Sequence, residues 1–251
     1  MRAFAVVVLS LLSGAVAAQD DWRVPFITTP DEVVERMLQL AGTRADDFVV
    51  DLGSGDGRIV ITAARKFGAR GLGIELDAKL VEASRENARH AAVSDRARFV
   101  QGDVLLANFS QASVVTVYLL PDLIGRLQAR FVDELRPGTR IVSHAFRMTG
   151  WRPERSETMR IAQPHFGQGD ESTLYLWVVP ANVRGVWAGE GRRMRIEQNY
   201  QELDIEGATQ ARILGTEVSW LWPEGRFSGR VEPGRIAGEL AGKPLVLVRE
   251  R

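Results

Sequence analysis

The chain has 251 residues, no cysteine, and 32 basic against 32 acidic side chains. The missing cysteine excludes a disulfide scaffold, a cysteine zinc site and a thiol nucleophile. The zero net charge argues against a general nucleic-acid binder, which needs a surplus of Lys and Arg on one face. With 45% hydrophobic and 25% charged residues, the composition predicts a folded protein with one large domain, or one domain and a small annex.

The first eighteen residues differ in character from the rest. Arg2 is followed by an apolar run from Ala3 to Leu12 and then by small residues up to Ala18. This order predicts a secretory signal peptide that is cleaved after Ala17 or Ala18. The apolar run is shorter than the roughly 20 residues that span a bilayer. We therefore expect an exported or periplasmic protein, with a membrane-anchored or cytoplasmic protein as the alternative.

Strands and helices alternate over the next part of the chain. The predicted helices are 31–40, 58–67, 78–91 and 123–135, and the predicted strands are 48–52, 71–75, 97–100, 114–119 and 139–143. Such alternation predicts an α/β fold with a Rossmann-like, mostly parallel sheet and helices on both faces. Ligands of these sheets bind at the carboxyl ends of the strands.

The pattern changes after residue 143. Two further strands, 158–161 and 174–179, have no helix between them and predict an antiparallel pair that completes a seven-stranded sheet. Beyond residue 180, short alternating runs separated by turn residues predict a small all-β meander or partial barrel. The predicted strands there are 194–200, 203–205, 218–222, 226–231, 235–240 and 245–248. The predicted division is 1–18 signal peptide, 19–180 α/β domain and 181–251 small β-rich domain.

A glycine-rich loop joins the first predicted strand to the helix that follows it. Gly53-x-Gly55-x-Gly57 alone is shared by several nucleotide-binding folds. A triphosphate-binding loop would end in Gly-Lys-Ser/Thr, but this one ends Asp56-Gly57-Arg58. A dinucleotide fingerprint would have a glycine where Arg58 lies. The loop therefore disfavours both kinds of ligand.

Carboxylates follow the ends of three neighbouring strands. Asp51 and Asp56 flank the glycine loop, Glu75 and Asp77 end the second strand, and Asp103 follows the third. On one rim of a sheet they would repel a pyrophosphate and suit a cationic ligand with hydroxyl and amino donors. S-adenosylmethionine is such a ligand. For each acid taken singly, the alternative is a helix cap or a solvated loop charge.

Residues 24–180 resemble the class I S-adenosylmethionine-dependent methyltransferases in three motifs. These are Asp51-Leu52-Gly53-Ser54-Gly55-Asp56-Gly57, Gly73-Ile74-Glu75-Leu76-Asp77 and Gln101-Gly102-Asp103-Val104. The nearest resemblance is to the mitochondrial lysine methyltransferases that act on the ATP synthase c-subunit and the adenine nucleotide translocase, and to their bacterial relatives. It is carried by 24–30, by 56–60 and by Trp151-Arg152-Pro153. A more distant resemblance is to histone lysine methyltransferases that lack a SET domain.

The resemblance implies roles at the methionine end of the cofactor. Gly53 and Gly55, with Ser54 between them, would let the backbone pass close to the cofactor and offer amide donors to its carboxylate. Asp51 would hold the loop and the cofactor amine. Thr29 occupies a position that folds over the cofactor in the family.

The ribose and adenine would bind at the next two strands. The resemblance implies that Glu75 accepts hydrogen bonds from both ribose hydroxyls. It also implies that Asp103 accepts from the adenine amine, with Val104 near the ring.

The acceptor side is predicted at the end of the fourth strand, where Tyr118, Pro121 and Asp122 lie. Methyl transfer to an amine requires alignment and a neutral nitrogen; Asp122 would take a proton and Tyr118 would orient the nitrogen. A capping Asp and a packing Tyr are the alternatives. No Asn-Pro-Pro-Tyr signature is present, so the acceptor stays open, small molecules included. His144 is expected to have a structural or substrate-contact role, and no metal site is expected.

The resemblance thus predicts an enzyme that uses S-adenosylmethionine to methylate a protein lysine. The balanced charge predicts no nucleic-acid partner, and membrane contact is expected only through an uncleaved N-terminus. An exported, non-catalytic binding module on the same fold is the alternative. Export conflicts with the cytosolic supply of the cofactor, since a charged molecule does not cross a bilayer unaided.

Overall fold

The structure, a computed structural model, describes residues 27–165 and 169–250. The predicted signal peptide lies outside these residues. The first part of the described chain contains α1 Asp31–Leu40, β1 Phe48–Leu52, α2 Arg58–Phe67, β2 Arg70–Glu75, α3 Ala78–His90, β3 Ala97–Gln101, β4 Val114–Val117, α4 Pro121–Glu134, β5 Arg140–His144, β6 Arg155–His165 and β7 Gly169–Val178. No helix within the described ranges is long and apolar enough to cross a membrane.

These strands form one seven-stranded sheet in the order β3-β2-β1-β4-β5-β7-β6. β1 to β5 are parallel to one another, while β7 runs antiparallel to both β5 and β6. The strand order reverses between β1 and β4, which places a ligand crevice at the carboxyl ends of these two strands. The predicted fold class is confirmed.

Side chains alternate between the two faces of the sheet, as the twofold period of a strand requires. On one face, Val49 and Val114 pack with Met37 of α1 in a continuous apolar core. On the other face, Val50 and Val115 pack with the apolar side of α4. Each strand residue is therefore committed to one core, which fixes the register of the sheet.

Helices cover both faces, but α4 is the only helix of the described chain on the second one. The connection from β5 to β6 contains no helix. Trp151 of that connection is buried in the core of the second face with Trp177. Tyr200, from the C-terminal part of the chain, stacks on Trp151 with ring centroids 4.8 Å apart. The C-terminal unit thus covers the area that α4 leaves open.

The C-terminal unit is a closed, antiparallel eight-stranded barrel. Its strands are β8 Gly185–Gly189, β9 Arg192–Asn199, β10 Glu202–Ile205, β11 Thr209–Leu214, β12 Glu217–Trp222, β13 Gly225–Glu232, β14 Arg235–Leu240 and β15 Lys243–Arg249. The sequence predicts six of them; β8 and β11 are the two that close the partial barrel. The predicted division between residues 180 and 181 lies in the connection from β7 to β8.

The barrel is filled by side chains. Trp220 is fully buried and stacks on Phe227 with centroids 4.3 Å apart. Glycines let neighbouring strands approach: a Cβ on Gly238 would lie 2.3 Å from the Ser228 carbonyl oxygen, and one on Gly189 would lie 2.0 Å from the Val246 carbonyl oxygen. An eight-stranded barrel packed in this way is a core and not a channel.

Candidate active site

The glycine loop crosses the carboxyl end of β2. The Gly53 and Ser54 amides donate to the Ile74 carbonyl at 2.9 and 3.1 Å. Gly53, Gly55 and Gly57 have φ values of 79°, 54° and 83°, a left-handed conformation that favours glycine. The loop therefore lies at the ligand crevice, next to the start of α2, and the Gly53 and Ser54 amides bind it to β2.

Ser54 contributes to this loop through its backbone. Its side chain is buried, and a Cβ on Gly73 would lie 2.6 Å from its Oγ. The Ser54 hydroxyl is therefore directed at β2 and packs over Gly73. The Ser54 amide is also used within the fold, because it donates to the Ile74 carbonyl.

Glu75 connects the loop to the end of β2. Its half-buried carboxylate accepts from the Gly55 amide at 2.9 Å and from the Asp77 amide at 3.0 Å, one on each oxygen. Because each carboxylate oxygen can accept a second hydrogen bond, Glu75 keeps the capacity to receive two ribose hydroxyls.

Two buried carboxylates lie at opposite ends of β1, and their hydrogen bonds show which of them is available to a ligand. Asp47, just before the strand, accepts from Ser113 and Arg140, and these bonds hold its pKa below the usual value although burial opposes them. Asp51, at the other end, accepts only from the Thr116 hydroxyl at 2.8 Å among the described side chains. Burial raises the pKa of Asp51 to about 7, and the nearby Glu75 charge adds to the effect.

A buried carboxylate without a cationic partner is stabilised by one that arrives with a ligand. The amine of S-adenosylmethionine is such a cation. Asp51 and Glu75 are both tied by hydrogen bonds to the elements around the glycine loop, so the described residues fit the cofactor that the motifs predict.

The loop after β3 carries the predicted adenine contacts. Asp103 is exposed and accepts from the Leu105 amide at 2.8 Å, while Val104 packs against the core of the second face. Arg130 of α4 donates to the carbonyls of Val104, Leu105 and Ala107 at 3.2, 2.9 and 2.8 Å. One guanidinium thus holds three backbone carbonyls of the loop in place.

Arg130 is itself fixed. It forms an ion pair with Glu134 at 2.6 Å and lies over the Phe109 ring at 4.4 Å from the centroid. The motifs point only to Asp103 and Val104. The contacts of Arg130 are to backbone carbonyls 23 to 26 residues away, a relation that no local sequence pattern records.

The segment before α1 is tied to the site from two sides. The Thr29 carbonyl accepts from Arg58 at 2.8 Å, and Arg58 is held by Asp56 at 2.6 Å. The buried Thr29 hydroxyl lies 3.3 Å from Nδ1 of His144, whose Nε2 lies 3.2 Å from the Ser172 hydroxyl. Thr29 therefore lies between the start of α2 and the end of β5.

Two of the acids around the loop have structural partners. Asp77 caps α3 by accepting from the Lys79 amide at 2.8 Å, and Asp56 pairs with Arg58. For these two, the alternative interpretation as a cap or a paired charge describes what the structure shows. Glu75 and Asp103 also accept from backbone amides, and with Asp51 they are the carboxylates at the ends of β1, β2 and β3.

On the acceptor side, β4 ends at Val117, two residues earlier than predicted. Tyr118 follows it, half-buried, with its ring 4.2 Å from that of His144 and 6.3 Å from that of Phe146. Phe146 also belongs to this cluster, and the sequence did not suggest this residue.

Pro121 and Asp122, also predicted at the end of the strand, belong to the first turn of α4. Pro121 occupies the first helical position, where its missing N–H costs nothing. Asp122 is exposed and lies in the first turn of α4.

The comparisons with known proteins agree with this geometry. Residues 51–155 match a family model described as the ANTKMT methyltransferase domain. The chain is 38% identical over 157 residues to a protein-lysine N-methyltransferase of Saccharolobus islandicus, covering 62% of this chain and 94% of that protein. It is 34% identical to the mouse lysine N-methyltransferase of the ATP synthase c-subunit, covering 53% of each chain. The chain thus spans about half the length of that relative.

A solved structure gives the same result. A protein of Salinibacter ruber, described as an RNA methyltransferase in complex with S-adenosyl-L-homocysteine, is similar with a TM-score of 0.57 and 46% identity. The match covers 62% of this chain and 96% of that one. Three findings agree: the match to the family model, the almost complete coverage of the Saccharolobus relative, and the S-adenosyl-L-homocysteine bound in the Salinibacter structure. The chain is an S-adenosylmethionine-dependent methyltransferase and belongs to the family with the ANTKMT methyltransferase domain.

Proposed function

We propose that the methyl acceptor is the side-chain amine of a protein lysine. The observation that carries this proposal is the similarity to the Saccharolobus protein-lysine N-methyltransferase over 94% of its length. The matches to mouse lysine methyltransferases for the ATP synthase c-subunit and for the adenine nucleotide translocase support it.

The acceptor side has side chains that suit this reaction. Bound S-adenosylmethionine would supply the methyl group, and the acceptor nitrogen would have to be aligned with it and to lose a proton. Tyr118 contributes a hydroxyl that can orient the nitrogen and an aromatic face along which the aliphatic stem of a lysine can lie. Asp122 is exposed and can pass a proton to solvent. Alignment is the main contribution of the protein to such a displacement.

The acceptor class can be tested by labelling cell fractions with S-adenosylmethionine that carries a tritiated methyl group. Label that protease removes, nuclease leaves and acid hydrolysis releases as methyllysine would support the proposal. We expect Tyr118→Phe to reduce this labelling strongly. Tyr175→Phe is the matched control, because Tyr175 packs against Trp177 in β7 and is not part of the Tyr118 cluster. Protein label without methyllysine contradicts the lysine assignment.

An RNA acceptor is the second candidate, since the Salinibacter protein is described as an RNA methyltransferase. The balanced charge of the chain does not favour it. Nuclease-sensitive label in the same experiment would establish RNA as the acceptor and reject lysine.

We propose, from the sequence of residues 1–18, that the chain is exported and that this segment is removed. The charged start, the apolar run and the small residues before Gln19 support this. Fractionation and N-terminal sequencing test it: an N-terminus at Ala18 or Gln19 is the expected result. Intact Met1 on cytosolic protein would reject export and would also remove the conflict with cofactor supply.

A further inference from the structure

The connection between β5 and β6, residues 145–154, begins at the acceptor side. Ala145 has φ 68°, in the left-handed region that a side chain rarely adopts. The Ala145 amide donates to the Thr173 carbonyl at 2.8 Å, and the Ser143 hydroxyl donates to the Phe146 carbonyl at 2.5 Å. This tight turn leads into Phe146, whose ring lies beside that of Tyr118.

The second half of the connection is held by side chains of three different elements. Gln128 of α4 donates to the Thr149 carbonyl at 2.8 Å. Trp177 of β7 donates through its indole to the Trp151 carbonyl at 2.9 Å. Gln201, in the turn between β9 and β10, donates to the Arg152 carbonyl at 2.6 Å. The segment is ordered by these bonds although it forms neither helix nor strand.

Tyr200 joins the barrel to this segment. Its ring lies parallel to that of Trp151, with centroids 4.8 Å apart and 5° between the planes. Its hydroxyl accepts from the same Gln128 amide group that binds Thr149, at 2.6 Å. One barrel side chain thus contacts both the connection and the helix that starts at the acceptor side.

We propose that Tyr200 is a positioning residue for methyl transfer: through Trp151 and Gln128 it fixes the connection 145–154, and thereby Phe146 and Tyr118, on the acceptor side. The inference rests on the proposed function, since it assumes that this cluster receives the acceptor. The ring of Tyr200 stacks on Trp151 and its hydroxyl accepts from Gln128, and neither partner belongs to the cofactor motifs. Its replacement should therefore affect the acceptor and leave cofactor binding unchanged.

The size of the effect follows from the geometry of transfer. A displacement of about 1 Å in the position of a reacting group can cost on the order of 100-fold in rate. For Tyr200→Ala we expect methyl transfer to the labelled protein fraction to fall about 10-fold to 100-fold in kcat/KM. Tyr200→Phe keeps the stacking on Trp151 and loses only the bond from Gln128, so its loss should be smaller.

Three measurements on the full chain test the proposal. Hydrogen exchange followed by mass spectrometry reports on the peptide that covers 145–154, calorimetry gives the affinity for S-adenosylhomocysteine, and the tritium assay gives transfer. In Tyr200→Ala, exchange of this peptide should rise at least about 10-fold, as for a segment whose local opening becomes easier. The affinity for S-adenosylhomocysteine should stay within about twofold.

Leu203→Ala is the control, because Leu203 is buried in the barrel core and neither stacks on Trp151 nor bonds to Gln128. It should weaken the barrel and leave exchange of 145–154 and kcat/KM near the wild-type values. Equal effects of the two variants would reduce Tyr200 to a structural residue and overturn the proposal. If Tyr200→Ala does not fold, Gln201→Ala is measured instead. We expect the same changes in exchange and in kcat/KM, with smaller magnitudes, and the same unchanged affinity for S-adenosylhomocysteine.

The outcomes separate this inference from the function on which it rests. If wild type labels no protein, the lysine proposal fails, while unchanged exchange of 145–154 in Tyr200→Ala would overturn the positioning role by itself. Raised exchange together with unchanged transfer would also overturn it, because the connection would then have no influence on the acceptor.

Discussion

The sheet unit and the barrel differ in where they bury polar side chains. Among the described residues, every buried polar or charged side chain belongs to the sheet unit except Gln201. Gln201 is directed out of the barrel, at the Arg152 carbonyl of the sheet unit. Burying polar groups costs free energy unless they are paired, and the sheet unit pairs several of them with its own residues, as in the bonds from Ser113 to Asp47 and from Thr116 to Asp51. The barrel is built for packing, and its buried amide serves the other unit.

The two units should therefore respond differently to substitution. Changes at the strand ends should remove cofactor binding and leave the barrel folded. Changes in the barrel core should reduce stability and leave cofactor binding in place.

The largest effect is expected for the glycine loop and its carboxylate. In Gly55→Arg a side chain is forced onto a residue with φ 54°, and in Glu75→Ala the bond from the Gly55 amide is lost. Both variants should show no calorimetric binding of S-adenosylhomocysteine. Wild-type affinity in both would mean that the cofactor site is wrongly assigned, and absence of binding in wild type would favour a non-catalytic module.

The next effect is on stability. Trp220→Ala removes a fully buried ring from the barrel core and should cost about 3–5 kcal/mol of unfolding free energy, as large-to-small aromatic substitutions do. Denaturant titration measures this loss. Affinity for S-adenosylhomocysteine should remain near wild type where the protein is folded; its disappearance there would show that the two units are not separable in function.

A smaller effect is expected at the adenine end. Arg130→Lys keeps the charge but cannot donate to three carbonyls in the fixed geometry of a guanidinium. We expect about a 10-fold weaker affinity for S-adenosylhomocysteine, which corresponds to about 1.4 kcal/mol. Arg126→Lys, also on α4 and exposed, is the matched control and should bind as wild type does. Equal affinities of the two variants would remove the positioning role of Arg130.

The smallest effect is a pH dependence. With the pKa of Asp51 at about 7 in the unliganded protein, a cationic cofactor amine favours the ionised carboxylate, so affinity should rise between about pH 6 and pH 8, up to about tenfold. Calorimetry in buffers of different ionisation enthalpy should show release of a proton at about pH 6. Asp51→Asn should abolish this linkage, and proton release that persists in this variant would assign the effect to another group.

The contribution of Asp51 to the free energy of unfolding should change with pH in the opposite direction to the cofactor affinity. The pKa of Asp51 is raised from 3.8 in the unfolded chain to about 7 in the folded one. The folded protein therefore retains the proton longer, and the contribution of Asp51 to stability declines as the pH rises from about 4 to about 7. Asp47, whose pKa is lowered, acts in the other direction and at lower pH. Asp51→Asn should flatten the decline in a series of thermal unfolding measurements.

Much of the sheet unit was predictable because its signals are local. The helix from Asp31 to Leu40 and the strand from Phe48 to Leu52 have the predicted bounds, since apolar periodicity and the flanking turn residues define both. The glycine loop was recognisable because three left-handed positions in five residues require glycine.

The barrel was harder to predict for a physical reason. β8 contains small residues at a close strand approach, where a Cβ on Gly189 would meet the Val246 carbonyl. β11 buries only Ile213 and has an irregular register between Thr209 and Arg212. Neither strand shows the clean alternation from which strands are inferred.

At the site, the sequence predicts side chains that would meet a cofactor, but it does not point to the side chains that hold the surrounding loops. Arg58 and Arg130 act on backbone carbonyls of remote segments. Thr116 meets Asp51 only because β4 pairs with β1. Such relations arise from topology, so they become visible only when the strand order is known.

The hydrogen bonds to the connection between β5 and β6 have a consequence for its length. Loops usually accept inserted residues because their backbone groups are satisfied by water. Here the carbonyls of Thr149, Trp151 and Arg152 are matched one by one to donors on α4, β7 and the barrel. One added residue would take these acceptors out of step with their donors. This segment, although it has the appearance of a surface loop, should be among the parts of the chain least able to change in length.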